Sequence, residues 1–389
     1  MKKNANIILG SYINGYSIIQ ELFENGVKDD IIVIDVIKDV SAYSNKVKRF
    51  IKIYNNIDSL YSALKNLSRS YELLILYPNQ DIYIEYLTKL YIKVKSYCFI
   101  PFYQPSLIEK QNKIVQYNYC KKYEIPYPKS VYIEDLKDIN KIYDLDFPVL
   151  IKPSHRDNSS TTIFRNLFLK NKKDLNFSSK LSRHINNGVS FLASEVIPGD
   201  GSNIYSYMSY RSKEGKILGE WTGKKLSQFP DDFGVFSSAS NNCPEIVAKQ
   251  GRKILEVMNL FGINQPEFKY DFRDKKYKLM EINLRPMMWH RLGAITGVPL
   301  SFIQYLCATN KNTPNFIQNK TDKINYIYIN HELINLIYRS NYFMRFRSII
   351  FSKNKNHFAL WDFNDPGPFF YSFISIINKY FRYKKRTNI

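Results

Sequence analysis

The stretch PEFKYDFRDKKYKLMEINLRP, residues 266–286, decides how this chain is read. Two strand-like runs, PEFKYDF and YKLMEINL, flank the polar turn RDKK, which is the pattern of a β-hairpin. A turn centred on residue 274 sets Glu267 opposite Glu281. Residues two apart on a strand share a face, so Asn283 and then Arg285 lie on the side of Glu281. Facing carboxylates repel unless protonated or neutralised by a cation. Mg²⁺, with Mn²⁺ as the alternative, takes oxygen ligands from carboxylates, an amide carbonyl and phosphates. Glu267, Glu281 and Asn283 offer the protein share of that set, and Arg285 offers a phosphate contact. Alone, such a strand more often carries solvated edge carboxylates, so its neighbours in the sequence matter.

Working outward, DFPVLIKPS (146–154) is an apolar strand ending in Lys152, and a buried lysine there needs an anion. FLASEVIPG (191–199) is a strand ending in the acidic hinge Glu195-Val196-Ile197. Such a hinge offers a backbone donor and acceptor beside apolar side chains, which suits an adenine ring.

The 389 residues are 44% apolar and 23% charged, enough for two or three domains with real cores and too apolar for general disorder. The longest apolar runs, such as Ile31 to Ile34, fall far short of the about 18 residues that span a bilayer. The N-terminus lacks a secretory pattern, so a cytoplasmic protein is expected. Four cysteines without a CxxC pair read as reduced and structural, and five scattered histidines show no zinc spacing. The net charge of +21 is dispersed, and the Lys-, Asn-, Ile- and Tyr-rich composition reads as solvated faces in an A+T-rich background. No nucleic-acid-reading motif accompanies the charge, and nucleic acid is not expected as a partner.

Residues 1–103 alternate apolar runs with helical patterns, the rhythm of an open parallel βαβ domain. Gly10 and Gly15 bracket the first turn without matching GxGxxG, and the helix that follows has an N-terminus able to hold an anionic group. IPFYQPS (100–106) marks the exit, followed by one helix at about 107–123. Further boundaries are expected at 104–190, 191–310 and 311–389, the last a basic helical extension with 13 Lys or Arg against four Asp or Glu. Its segment 366–389 has the pattern of an amphipathic basic helix, which either docks on the body of the protein or touches an anionic membrane at the inner face.

The ordered motifs PVLIKP, SEVIPG, the PEF strand and LMEINLRP resemble the ATP-grasp superfamily of carboxylate ligases over about residues 107–305, half the chain. The runs GDGSNIYSYMSY, TGKKLSQFP and EINLRPMMWHRLGAITGVPL resemble its branch of predicted carboligases related to D-aspartate ligase. The resemblance implies an α/β chain: a parallel pre-grasp domain, then an ATP-grasp fold of two α+β subdomains. It implies ATP and Mg²⁺, with Lys152 on the α- and β-phosphates and Lys113, in competition with Lys110, as the earlier phosphate lysine. Glu195, through carboxylate or backbone, and Ile197, through its N–H, would hold adenine with Val196 between them, and Asp200 or Asn203 the ribose. Glu267, Glu281 and Asn283 would be the metal ligands, Arg285 would stabilise the transferring phosphoryl group, and Lys225 would meet phosphate or a substrate anion. The glycine-rich phosphate loop usual in the family is replaced by SHRDNSSTT (154–162), where backbone N–H groups and the hydroxyls of Ser159, Ser160, Thr161 and Thr162 would cap the phosphates. The implied activity is ATP-dependent amide formation through an acyl phosphate, with small-molecule carboxylate and amine substrates, one of them an amino acid; the alternative is a silent Mg·ATP-binding protein. Trp289 and His290 are candidates for the acceptor pocket or for turn packing, and a homodimer is compatible with the sequence.

Overall fold

The computed structural model describes residues 3–154, 164, 166–230 and 234–376, and the side chains of 176–180 are left aside. The first unit is a five-stranded sheet: β1 (Lys3–Leu9), α1 (Ile13–Glu24), β2 (Asp30–Asp35), β3 (Arg49–Lys52), α2 (Ile57–Leu67), β4 (Tyr71–Pro78), α3 (Asp81–Val94) and β5 (Cys98–Phe99). Its order is β3-β2-β1-β4-β5, all parallel. β1, β2 and β4 are apolar on both faces because helices cover both sides of the sheet. Gly10, at the end of β1, has φ +109°, and a Cβ there would sit 2.0 Å from Asn79 Oδ1, so glycine is required. The turn before α1 is tied to the end of β2. Asp35 Oδ2 accepts from Ser11 N–H (2.6 Å) and Ser11 Oγ (2.8 Å), while Tyr83 OH donates to Oδ1 (2.8 Å).

The single helix expected at 107–123 is two, α4 (Leu107–Lys110) and α5 (Lys113–Lys122). Asn112 breaks them: its side-chain oxygen accepts from Ile114 N–H and caps α5. A small antiparallel sheet follows, from β6 (Ser130–Ile133), β7 (Val149–Pro153), β8 (Leu167–Leu169) and, after α6 (Ser178–Asn186), β9 (Phe191–Glu195), in the order β6-β9-β7-β8. The boundary expected at 190/191 falls inside this sheet. β9 pairs with both β6 and β7, so the subdomain extends to Glu195.

The large sheet contains β10 (Ile204–Arg211), β11 (Ile217–Phe229), β12 (Val235–Ser240), β13 (Gly262–Asp271) and β14 (Lys276–Asn283), with α7 (Glu245–Val257) ahead of β13. After it come α8 (Arg291–Ile295), α9 (Leu300–Ala308), β15 (Ile324–Ile327), α10 (Ile329–Tyr338), α11 (Phe343–Ile350), β16 (Lys355–Phe358) and helical residues 367–376. Its order is β14-β13-β10-β11-β12-β15-β16. The last segment is therefore more than a helical extension: β15 pairs with β12 and β16 with β15, because Ile324, Tyr326 and Ile327 bury their side chains in the sheet. Among the described residues no helix is long and apolar enough to cross a membrane.

Buried polar groups tie the N-terminal sheet to the rest. Glu21 of α1 accepts from the N–H groups of Ser301 and Phe302 (3.0 Å for the latter), so it neutralises the exposed amide end of α9. His290 Nε2 lies 3.3 Å from the same carboxylate and 2.7 Å from Ser301 Oγ. From the other end of the chain, Asp365 accepts from Ser44 Oγ (2.5 Å) and Asn45 N–H (2.9 Å), and Ser375 Oγ donates to Asp39 (3.3 Å). Glu21→Ala leaves buried donors at the start of α9 unpaired, so a loss of about 2–5 kcal/mol is expected. A lowered urea midpoint with unchanged slope measures it, and Glu21→Gln, which retains an acceptor, should lose less.

Candidate active site

The site is built on the hairpin of β13 and β14. Next to the turn the ladder pairs Asp271 with Lys276 and Phe268 with Leu279, one residue off the spacing the sequence implies. A β-bulge then inserts Met280, and beyond it Glu267 stands opposite Glu281 and Gln265 opposite Asn283. The bulged backbone is held from outside the hairpin: Leu279 N–H donates to Pro126 C=O (2.7 Å), and Tyr117 OH to Met280 C=O (3.1 Å). Leu279 and Ile282 can both enter the core, three residues apart, because the bulge resets the alternation.

β14 is an edge strand, and α5 closes it. Gln116 acts as a substitute strand: its Oε1 accepts from Ile282 N–H (3.0 Å) and its Nε2 approaches Ile282 C=O (3.4 Å). Lys113 lies one turn before Gln116 on the same helix face, and its Nζ sits 2.5 Å from Glu281 Oε2. Lys110 points elsewhere. It is buried against Gln104 Oε1 (2.6 Å), and burial lowers its pKa. From the opposite side, Lys225 of β11 reaches across β10 to Glu267 Oε2 at 3.2 Å. Each facing carboxylate thus has its own lysine. Asn283 Nδ2 donates to Gln265 Oε1 (2.8 Å), and Gln265 Nε2 donates to Ser206 Oγ (2.8 Å), which orients the amide beside the carboxylates.

Arg285 continues the face and makes a two-pronged pair with Asp81 of α3, Nε to Oδ1 at 2.7 Å and a terminal nitrogen to Oδ2 at 3.1 Å. Asp81 holds the guanidinium pKa above its usual value despite the opposing effect of burial. Lys152 lies on β7 opposite Leu192, on the face turned away from the small-sheet core of Val149, Ile151, Phe191 and Ala193. In the hinge, Glu195 is buried and its carboxylate accepts from Asp146 N–H (2.9 Å), while Val196 N–H donates to Pro148 C=O (2.9 Å). Of the two ways Glu195 was expected to meet adenine, the carboxylate is committed to the loop and the backbone remains. Ile197 is 1% exposed.

Asp200 caps a short turn through Ser202 N–H (2.8 Å) and pairs with Arg345 of α11 (2.5 Å), whereas Asn203 packs over Gly199. Ser159, Ser160, Thr161 and Thr162 lie outside the described residues. Trp289 is core, stacked near Phe236 and edge-on to Trp221, and His290 is buried against Glu21. Neither shapes an acceptor pocket, since both fill the joint between α1 and the large sheet.

Glu267, Glu281 and Asn283 offer oxygen donors of the kind a hard cation takes, and such a cation would have to displace the ammonium groups of Lys113 and Lys225 from the two carboxylates. Sequence reasoning did not include Gln116, Gln265 or Asp81. Gln116 and Gln265 carry local signals, at i+3 from Lys113 and i−2 from Glu267; Asp81 is 204 residues from its partner and carries none.

No family model matches the chain. D-Aspartate ligase of Enterococcus faecium (strain Aus0004) is 26% identical over 217 residues, 53% of this chain and 51% of that protein, so the chain spans about half the length of this curated relative. An ADP complex of N5-carboxyaminoimidazole ribonucleotide synthetase superposes with a TM-score of 0.63 at 15% identity, covering 86% of this chain and 85% of that one. Biotin carboxylase from Campylobacter jejuni matches with a TM-score of 0.63 at 13% identity over 82% and 74% of the two chains. Phosphoribosylglycinamide synthetase from Anaerococcus prevotii matches at 0.59 and 13% over 82% and 79%.

The hairpin tip generates a pH prediction. Asp271 is fully buried, and Arg273 (2.7 Å), followed by Lys278 (2.8 Å), holds its carboxyl well below the usual range. A depressed carboxyl contributes stability above its unfolded value of about 4, and that contribution is lost as pH falls through the folded value. Urea midpoints should therefore drop on acidification below about pH 4. Asp271→Asn should start lower at neutral pH and fall less steeply.

Proposed function

We propose that this chain, which has the ATP-grasp fold, is an ATP-dependent carboxylate–amine ligase. The observation that carries the reading is the facing pair Glu267 and Glu281, each held by a lysine from a separate element, with Asn283 next along the same face of β14 and Arg285 one step beyond. Glu267, Glu281 and Asn283 would hold Mg²⁺, which would supply positive charge to the phosphates. Lys113 and Lys225, now paired with the two carboxylates, would then meet phosphate or a substrate anion. Lys152, on the small sheet, would hold the α- and β-phosphates. The hinge would seat adenine through Glu195 C=O and Ile197 N–H. Asn203 is favoured for the ribose, because the carboxylate of Asp200 is engaged by Ser202 and Arg345.

Arg285 would stabilise the γ-phosphoryl group in transfer. A carboxylate oxygen of the substrate attacks the γ-phosphorus, the bond to the β-phosphate oxygen breaks, and ADP leaves with that electron pair. The nitrogen of an amine then attacks the acyl carbon, loses a proton, and the bond to the phosphate oxygen breaks, giving an amide and inorganic phosphate. No side-chain nucleophile is needed; positioning and electrostatics carry the reaction. The relative with half-chain similarity is a D-aspartate ligase, which supports an amino acid as one substrate; a cell-envelope or polysaccharide precursor is proposed as the other. Its location would then be the cytoplasm, at or near the inner membrane face.

The second reading, a silent Mg·ATP binder, rests on the glycine-free segment 154–162. ADP release from Mg·ATP with pooled amino acids and small carboxylates separates the two. Substrate-dependent release is expected, falling by roughly a hundredfold or more in Glu281→Gln, on the scale of losing one charge-stabilising group. ATP binding without release, with every pool and with precursor extracts, would overturn the ligase reading in favour of the silent binder.

A further inference from the structure

The last segment presents a surface that the ligase reading does not use. On α11, Phe343, Met344, Arg347 and Phe351 project outward while Ile349 faces the core. Their spacing of i, i+1, i+4 and i+8 places them within about 100° of one helix face. Phe343 is 63% exposed, Met344 69% and Phe351 76%. The neighbouring α10 adds Ile337, 76% exposed, beside the joining residues 339–342. Large apolar side chains thus point to water on two adjoining helices.

The charge over the same stretch has one sign. From 333 to 361 the chain carries Arg339, Arg345, Arg347, Lys353 and Lys355 and no Asp or Glu. Arg345 turns inward to Asp200 and Lys355 lies 3.5 Å from Asp322, while Arg347 and Lys353 are exposed beside the apolar face. A soluble polyanion would engage these cations and leave phenylalanine and methionine in water. An apolar protein groove would cover the side chains and leave the cations without counter-charge. Both needs are met where acyl chains and phosphate headgroups adjoin.

We propose that the α10–α11 face docks on an anionic lipid surface. The segment 366–389, to which the sequence pattern pointed, is described only as far as residue 376, and its Lys and Arg residues lie outside the described residues. In the described part of that segment, Ser372 and Ser375 face inward. Asn330 donates to Ser372 Oγ (2.6 Å), Tyr371 stacks on Tyr43, and only Phe370 and Ile374 stand well out. The terminal helix is docked on the body of the protein; the helical pair before it carries the open face. Through Arg345, this face adjoins the turn that follows the hinge.

The full chain is to be sedimented with vesicles of phosphatidylglycerol and phosphatidylcholine in equal parts, and with phosphatidylcholine alone. Binding to the mixed vesicles only is expected. The triple variant Phe343→Ser/Met344→Ser/Phe351→Ser should lower the partition coefficient roughly tenfold or more. Arg347→Glu/Lys353→Glu should remove most of its salt dependence, and Phe370→Ser/Ile374→Ser should leave binding intact. Unchanged urea midpoints confirm that the variants fold. The proposal is overturned by absence of binding to mixed vesicles at low salt, or by retention of binding in the triple variant. Loss in Phe370→Ser/Ile374→Ser instead would also overturn it, as would a wild-type dimer in sedimentation velocity that the triple variant dissolves without any lipid binding.

Discussion

Two carboxylates facing each other on neighbouring strands are the constraint around which this molecule is arranged. Like charges brought together in this way cost stability unless each is neutralised. The chain meets that cost with two lysines from opposite sides, Lys113 on α5 and Lys225 on β11. That solution dictates local structure. α5 must lie along the edge of β14, which Gln116 and Tyr117 achieve by bonding its backbone. β14 must bulge at Met280 to bring Glu281 level with Glu267.

The surrounding parts are tied to this hairpin by charge placed where backbone ends need it. Glu21 caps α9, Asp81 clamps Arg285, Asp365 caps residues 44–46 and Arg345 holds Asp200. Each link joins segments far apart in sequence, so the parallel sheet, the large sheet and the last segment are locked together under the cleft. The small sheet brings Lys152 and the hinge, with its own separate core of Val149, Ile151, Phe191 and Ala193.

Much of this was legible in residues 266–286. Strand alternation and a short polar turn imply that Glu267 and Glu281 face each other, and they do, by two departures that cancel. The turn is centred half a residue earlier than expected, and the bulge adds one residue back. Of the two lysines weighed for the phosphate, Lys113 contacts Glu281 and Lys110 contacts Gln104. Other expectations gave way to packing. The helix over 107–123 breaks because Asn112 caps a new one, and the subdomain boundary moves because β9 pairs on both edges. Trp289 and His290 go to the core because α1 packs there.

By itself the sequence determined the period of its strands, the order of its motifs and the chemical character of the site: oxygen donors, lysines and an arginine in a hairpin and two strand ends. These follow from neighbours within a few residues, where alternation and turn chemistry act. Only the tertiary structure decided which charge answers which. Asp81 meets Arg285 across 204 residues, Asp35 meets Ser11 in the turn before α1, and the last segment supplies two strands to the large sheet. Pairing of buried charges depends on distance in space and on exclusion of water, and neither is set by spacing along the chain.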